Sequence, residues 1–197
     1  MQKLKISPQA LNEAEKILKN GGVVIFPTET VYGIGALASS ESAVKRIFEV
    51  KKRPYGKPLQ ILISDISQVN QFASEISNKA KEVMKKYWPG PLTLIFKKKP
   101  KVSDIITSSG NTVGLRMPKN STILKLIKEV GPIAASSANI SGQPDPISPE
   151  EVKIEADLLL DGGRCKIGQA STVVDVSVDP PLVLREGKIH LSSRYIY

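Results

Sequence analysis

The chain has 197 residues and carries 28 Lys and Arg against 19 Asp and Glu, a formal net charge of +9. Its one cysteine and one histidine, Cys165 and His190, exclude an internal disulfide, a cysteine metal cluster and a histidine-rich zinc site. No apolar run approaches the roughly 20 residues that span a membrane, so we expect one globular domain over residues 1–197 with no membrane partner.

The charge is unevenly distributed. Residues 1–128 hold 22 Lys and Arg against 9 Asp and Glu, whereas residues 129–197 hold 6 against 10. A basic first part indicates an anionic ligand, either a nucleotide or a nucleic acid. The competing interpretation is a solubilising lysine surface, and it is the better one for the lysines of 79–86 and of 97–99.

The first elements have clear boundaries. The chain leads straight from its N-terminus into a helix that begins at Ser7-Pro8 and ends at Asn20-Gly21-Gly22. Val23–Phe26 is a short apolar run and predicts a buried strand. A second helix begins after Ser40 and cannot continue past Pro54.

Apolar runs and helical spacing predict the remaining elements. They are strands at 59–63, 92–96, 112–116, 133–136, 157–160, 172–177 and 182–185, and helices near 66–72, 75–87, 121–130 and 149–155. This order, without strict alternation, predicts an α/β (α+β) fold with a twisted mixed sheet and helices on its faces. The loop 137–149 is too long for a plain connector, so we expect it to be functional.

Known phosphate motifs are missing. The chain has no G-x-x-x-x-G-K-[ST] sequence, and Gly33-Ile34-Gly35 lacks the third glycine of a dinucleotide fingerprint. Four other features stand close to predicted elements: the hydroxyl-rich run 27–33, Lys51-x-Arg53, the strand Thr112–Arg116 and the Ser/Asn run 136–142. An ammonium and a guanidinium can grip a polyphosphate from two directions, and small donors suit phosphate oxygens.

Each feature also has an ordinary structural interpretation. Lys51 and Arg53 could serve the C-terminus of a helix, Arg116 could form a surface ion pair, and the Ser/Asn run could be turn chemistry. Their joint occurrence favours a binding site for an anion. Within the basic run we expect Lys51 and Arg53 to face the ligand and Lys52 to face solvent.

These motifs resemble those of the YrdC-like family of threonylcarbamoyl-AMP synthases. The likeness runs from Gly21-Gly22 through the opening run 27–33, Lys51-x-Arg53, Thr112–Arg116, Ser137-x-Asn139 and 171–175 to the run Leu184–Gly187. It implies a YrdC-like fold with a concave basic cleft, in a short form with a single catalytic domain.

The resemblance also implies an activity. The family enzyme is a nucleotidyltransferase that joins L-threonine, bicarbonate or CO₂, and ATP into threonylcarbamoyl-adenylate and pyrophosphate. A separate transferase complex then modifies an adenosine beside the tRNA anticodon. A cytoplasmic location, direct tRNA contact through the basic face, and Mg²⁺ carried on the phosphates without a protein metal cage follow as further expectations.

The resemblance assigns roles by matching position. ATP contacts are expected from Lys51, Arg53, Tyr55, Thr112, Ser137, Asn139 and Arg185, of which Lys51, Arg53, Ser137 and Asn139 are the expected catalytic residues. Threonine contacts are expected from Thr28, Arg116, Ala135 and Ser171, with Arg116 on the carboxylate.

The alternative function is a module that binds tRNA or double-stranded RNA and forms no adenylate. The basic first part of the chain supports it. Only 5 % of the residues are aromatic, however, which is few for recognition by base stacking.

Overall fold

A computed structural model of the chain describes residues 1–192. The strands are β1 Gln2–Lys5, β2 Val24–Pro27, β3 Tyr32–Leu37, β4 Gln60–Leu62, β5 Leu92–Lys97, β6 Thr112–Arg116, β7 Ile133–Ser137, β8 Leu158–Asp161, β9 Thr172–Asp175 and β10 Leu182–Arg185. The helices are α1 Pro8–Lys19, α2 Glu41–Lys51, α3 Val69–Phe72, α4 Asn78–Tyr87, α5 Asp104–Thr107 and α6 Ser121–Val130, with a 3₁₀ turn at Ile66–Gln68. Within this part of the chain, no helix is both long and apolar enough to cross a membrane.

The strands of residues 1–192 form one mixed sheet in the order β1-β8-β2-β3-β7-β4-β6-β5-β9-β10. The pairs β1–β8, β8–β2, β4–β6 and β5–β9 are parallel, and the remaining neighbours are antiparallel. This arrangement, with helices on the sheet, confirms the predicted fold class.

Alternation along β2 shows how the faces are covered. Val24 and Phe26 pack in a cluster with residues of α1 and α6, whereas Val23 and Ile25 belong to the core that includes α2 and α4. Successive strand side chains point to opposite faces, so helices cover both faces over this part of the sheet.

The face that carries α1 and α6 is left open farther along the sheet. In β5 and β6, Leu94 and Leu115 point into the core with α2 and α4, while Thr93 and Gly114 point the other way. Gln60 of β4 shares the open face, because it stands two residues before Leu62, which packs on the α1 side. The uncovered surface over β4, β6, β5 and β9 is the floor of a cleft.

Two strands of the structure were not predicted from the sequence. Residues 2–5 form β1 rather than a direct lead into a helix, because they pair in parallel with β8 at the sheet edge, with Leu4 partly buried. Tyr32–Leu37 forms β3, a hairpin partner of β2, which was not among the predicted strands. The glycine backbone is used for close packing, since a Cβ on Gly35 would lie 2.5 Å from the Ile133 side chain.

Two helix assignments also differ. The predicted helix at 149–155 is wrong: this segment consists of turns, bends and irregular chain, and the carboxylate of Glu151 accepts a hydrogen bond from the Ile147 backbone N–H. The short helix α5 was not predicted, because four residues are too few for a helical period to show.

The last strand, β10, lies at the edge of the described sheet. Its register against β9 shifts between Val183 and Arg185, a bulge of the kind that re-aims a side chain. Gly187 follows at very close range to the chain beside β9: a Cβ there would lie 2.5 Å from the Thr172 backbone nitrogen and 2.6 Å from the Ala170 carbonyl oxygen. Only glycine allows this approach.

We therefore expect Gly187→Ala to lower the free energy of unfolding by about 1–3 kcal/mol, because the added methyl meets backbone atoms that cannot turn aside. Urea unfolding measures the loss. Gly56→Ala is the matched control, since a Cβ added there would have no neighbouring atom within 4 Å, and it should change stability by less than about 0.5 kcal/mol. Equal stability of the two variants would contradict the packing argument.

Candidate functional site

The uncovered stretch of sheet is a cleft of about 250 Å³. Strands contribute its floor, and residues 30–31, 53, 58–59, 135–137 and 170–171 contribute its walls. Three arginines line it: Arg53, Arg116 and Arg185. Its lining also includes Thr30, Gln60, Thr93, Thr112, Ala135, Ser137, Asp145 and Ser171.

The turn between β2 and β3 is held together by its own hydroxyls. Thr28 Oγ1 lies 2.7 Å from Thr30 Oγ1, donates to the Val31 carbonyl at 2.7 Å and accepts from the Thr30 backbone N–H at 3.1 Å. These bonds build the turn around Thr28, which lines a small pocket beside the cleft, while Thr30 lines both.

Arg116 stands at the end of β6 and is only 3 % exposed. Its Nη2 lies 2.8 Å from Glu29 Oε1 and donates to Thr30 Oγ1 at 3.0 Å. Burial lowers the pKa of Arg116, and the Glu29 charge opposes that shift. Buried charges occur in proteins when they are paired. Glu29 therefore offsets the cost of burying the guanidinium charge beside the hydroxyl turn.

Lys51, at the end of α2, is 1 % exposed and lies behind the cleft wall. Its ammonium donates to the carbonyl oxygens of Ser137 and, at 2.6 Å, of Asn139, and lies 3.2 Å from Asn139 Oδ1. An ammonium has three N–H groups, so these acceptors use all of them. Burial lowers the pKa of Lys51 to about 8, and the nearby Arg53 charge adds to the effect.

Of the two residues that follow Lys51, one faces solvent and the other faces the cleft. Lys52 is exposed, with a left-handed backbone (φ 48°) that ends the helix, as expected for the solvent-facing member. Arg53 lines the cleft and is anchored by Nε to the Lys57 carbonyl at 3.0 Å and by Nη2 to the Pro58 carbonyl at 2.8 Å.

A line of hydrogen bonds crosses the cleft floor. Arg185 Nη2 donates to Ser171 Oγ at 3.2 Å, Ser171 Oγ lies 2.8 Å from Thr93 Oγ1, and Thr93 Oγ1 donates to Gln60 Oε1 at 2.8 Å. Because each hydroxyl has one proton, Ser171 must donate to Thr93 for Thr93 to donate onward. The guanidinium thereby sets the orientation of the hydroxyls and of the Gln60 amide.

The structure brings most of the expected site residues together. Seven of them line the cleft: Arg53, Thr112, Arg116, Ala135, Ser137, Ser171 and Arg185. Lys51 and Asn139 are buried behind the wall. Tyr55 is 56 % exposed, stacks on Phe48 with ring centroids 4.9 Å apart and does not line the cleft.

Four other residues of the site were not singled out from the sequence. Gln60, Thr93 and Asp145 line the cleft, and Glu29 pairs with Arg116. Thr93 and Gln60 could have been found from strand alternation, since each is a polar residue beside apolar ones in a predicted buried strand. Nothing in the sequence indicated that Glu29 and Asp145 come close to the arginines.

The described residues hold no group of three or more His, Cys, Asp or Glu side chains arranged to bind a metal ion. The cleft lining within residues 1–192 contains neither histidine nor cysteine, and Asp145 is its one acid. The site is therefore built for holding anions with guanidinium groups and hydroxyls.

Comparison with known proteins identifies the relatives of this chain. The Sua5/YciO/YrdC family model, described as "Telomere recombination", matches residues 16–187. Proteins named threonylcarbamoyl-AMP synthase from Pyrococcus abyssi and Bacillus subtilis are 45 % and 44 % identical over 95 % and 94 % of this chain. The chain spans only 56 % of the length of either protein.

A solved structure agrees with the sequence match. The crystal structure of P. abyssi Sua5 complexed with L-threonine superposes with a TM-score of 0.88 at 44 % identity, covering 93 % of this chain and 56 % of that one. Together with the family model, which matches most of the chain, this likeness settles the classification. The protein belongs to the Sua5/YciO/YrdC family.

Proposed function

We propose that this protein is a threonylcarbamoyl-AMP synthase, a nucleotidyltransferase that uses L-threonine, bicarbonate or CO₂, and ATP. In the reaction the threonine nitrogen bonds to the carbon of CO₂, with loss of protons to solvent, and gives a carbamate. A carbamate oxygen then bonds to the α-phosphorus of ATP, and the bond from that phosphorus to the bridging oxygen breaks, which releases pyrophosphate.

The observation that carries the proposal is the set of three guanidinium groups on one uncovered stretch of sheet, without a histidine or cysteine in the lining within residues 1–192. Attack of an anion on an anionic phosphate needs neutralisation of charge and alignment more than a protein nucleophile. A lining of arginines, hydroxyls and one glutamine supplies those two things.

Arg116 is the proposed partner of the threonine carboxylate. It lies against the hydroxyl turn, and the Glu29 carboxylate offsets the cost of burying its charge. Ala135 and Ser171 line the same cleft and would contact threonine beside it. The relative in P. abyssi has been crystallised with L-threonine, which supports this assignment.

Arg53 and Arg185 are the proposed partners of the nucleotide phosphates, with Thr112 and Ser137 beside them. Lys51 has no donor left for a phosphate, because three protein oxygens occupy its ammonium. We infer that Lys51 acts on ATP through the segment Ser137–Asn139, whose backbone it holds, rather than by direct contact. Tyr55 would reach the nucleotide only from the rim of the site.

The remaining parts of the proposal concern the setting of the reaction. We expect the adenylate to pass to a transferase complex that modifies tRNA, in the cytoplasm. The excess of cations in residues 1–128 supports a tRNA contact through the basic face, since phosphate backbones bind clustered cations. Mg²⁺ would arrive on the ATP phosphates, since nucleotide sites usually take this ion together with the substrate phosphates.

The direct test is to mix the protein with ATP, Mg²⁺, threonine and bicarbonate and to look for threonylcarbamoyl-AMP by mass spectrometry. Product that requires both threonine and bicarbonate supports the proposal. Failure to form product, together with tight, ATP-independent binding of RNA that weakens with salt, would establish the RNA-binding module instead.

Lys51 and Lys52 form a matched pair for mutagenesis. Lys51→Met leaves three oxygens without their buried donor, so the backbone at Ser137 should move. Because a displacement of about 1 Å misaligns the reacting groups, the rate of pyrophosphate release should fall by about 100-fold. Lys52→Ala should stay within about twofold, because its side chain is exposed. Circular dichroism checks that both variants fold, and equal activities would refute the role given to Lys51.

The pKa of Lys51 predicts a pH dependence. ATP affinity should hold below pH about 8 and weaken above it, as the ammonium loses the proton that holds the segment Ser137–Asn139. Unfolding would not explain the loss, because a lysine whose pKa falls on folding makes the folded state more stable as pH rises between about 8 and about 10.5.

A binding titration with ATP alone, from pH about 7 to about 10, measures this effect without interference from the titration of threonine. Burial raises the pKa of Cys165 to about 11 and that of Tyr32 to about 12, so these groups stay protonated in that range. An affinity that is constant across the range would contradict the prediction.

A further inference from the structure

Asp145 is an acid in a cleft of cations. It belongs to the loop between β7 and β8 and is the one carboxylate in the cleft lining of residues 1–192. Its place is fixed by the backbone on both sides: Ser141 N–H donates to the Lys51 carbonyl at 2.8 Å, and Tyr32 N–H donates to the Pro146 carbonyl at 2.8 Å. Within the described residues, its carboxylate forms neither an ion pair nor a hydrogen bond.

The charge of Asp145 acts on two of the site's cations. Burial lowers the pKa of Arg185 and of Lys51, and the Asp145 carboxylate opposes both shifts. Arg116 has an acid of its own, since Glu29 Oε1 lies 2.8 Å from its Nη2. Within residues 1–192, Asp145 is therefore the unpaired carboxylate of a cleft that it shares with Arg53 and Arg185, the proposed partners of the nucleotide phosphates.

A carboxylate in that place would repel a bare triphosphate, because both are anions. A divalent cation between them turns the repulsion into attraction. Mg²⁺ takes oxygen ligands and is usually held in nucleotide sites by one or two carboxylates together with substrate phosphates and waters. One free carboxylate, with no metal cluster elsewhere in residues 1–192, fits a metal that enters with its nucleotide.

We propose that Asp145 is the protein's ligand to the Mg²⁺ carried by the nucleotide, so that the cleft selects Mg²⁺–ATP over free ATP. The inference rests on the proposed function, since it requires that ATP bind in this cleft. The other cation that the reaction brings is the ammonium group of threonine, and the position of Asp145 near Arg185 favours the metal.

The test is equilibrium binding of ATP by calorimetry, without threonine or bicarbonate, in excess Mg²⁺ and again in EDTA. The unchanged protein should bind Mg²⁺–ATP about tenfold more tightly than free ATP, the effect of one charged ligand. In Asp145→Asn that preference should fall to within about twofold, and free ATP should bind more tightly than to the unchanged protein because a repelling charge is gone.

Glu155→Gln is the matched control, since it removes one exposed carboxylate that does not line the cleft. It should keep the full preference for Mg²⁺–ATP. Asp145→Asn should fold normally, because within residues 1–192 the carboxylate forms no ion pair or hydrogen bond. The titrations are run at pH about 7, below the Lys51 pKa of about 8, so that loss of the Asp145 charge does not discharge the Lys51 ammonium.

The outcomes separate the two proposals. Unchanged Mg²⁺ preference in Asp145→Asn, with ATP still bound, would overturn the metal role and leave the proposed function standing. Weaker threonine binding in that variant without a change in Mg²⁺ preference would assign Asp145 to the ammonium group and overturn the metal role as well. No ATP binding by the unchanged protein in either condition would overturn both.

Discussion

The site depends on one buried charge and the oxygens that surround it. The Lys51 ammonium joins the end of α2 to Ser137 and Asn139, so a helix on one face of the sheet holds the segment that borders the cleft on the other. Removal of one partner from a buried charged contact costs far more than a surface pair does. The shape of the wall is therefore tied to the protonation of a side chain that the ligand need never touch.

The cleft itself follows from incomplete coverage of the sheet. Where α1 and α6 pack, the strands present Val24, Phe26 and Leu62 to them. Farther along, the same face presents Gln60, Thr93 and Gly114, which need no helix to cover them. Small and polar side chains on an open sheet leave room for a ligand, and they also supply donors that can hydrogen-bond to it.

Much of this could be predicted from the sequence. The strands and longer helices follow from apolar periodicity, and Arg53 and Arg116 stand near element ends where their charges indicated a site. Arg185 was expected only from the family resemblance. The strand β3 could not, because its glycines indicate a loop until Phe26 and Ile133 pack against them. Contacts such as Glu29 with Arg116 join distant parts of the chain, and no local pattern records them.

The position of Arg185 on β10 has a thermodynamic consequence. At the edge of the sheet formed by residues 1–192, a strand paired on one side and with Leu182 and Leu184 exposed opens at a smaller free-energy cost than a central strand. A ligand gripped by Arg185 binds only the closed form, so filling the cleft must also lower the frequency with which that end of the sheet opens. Docking of the last strand and occupancy of the site are two aspects of a single equilibrium.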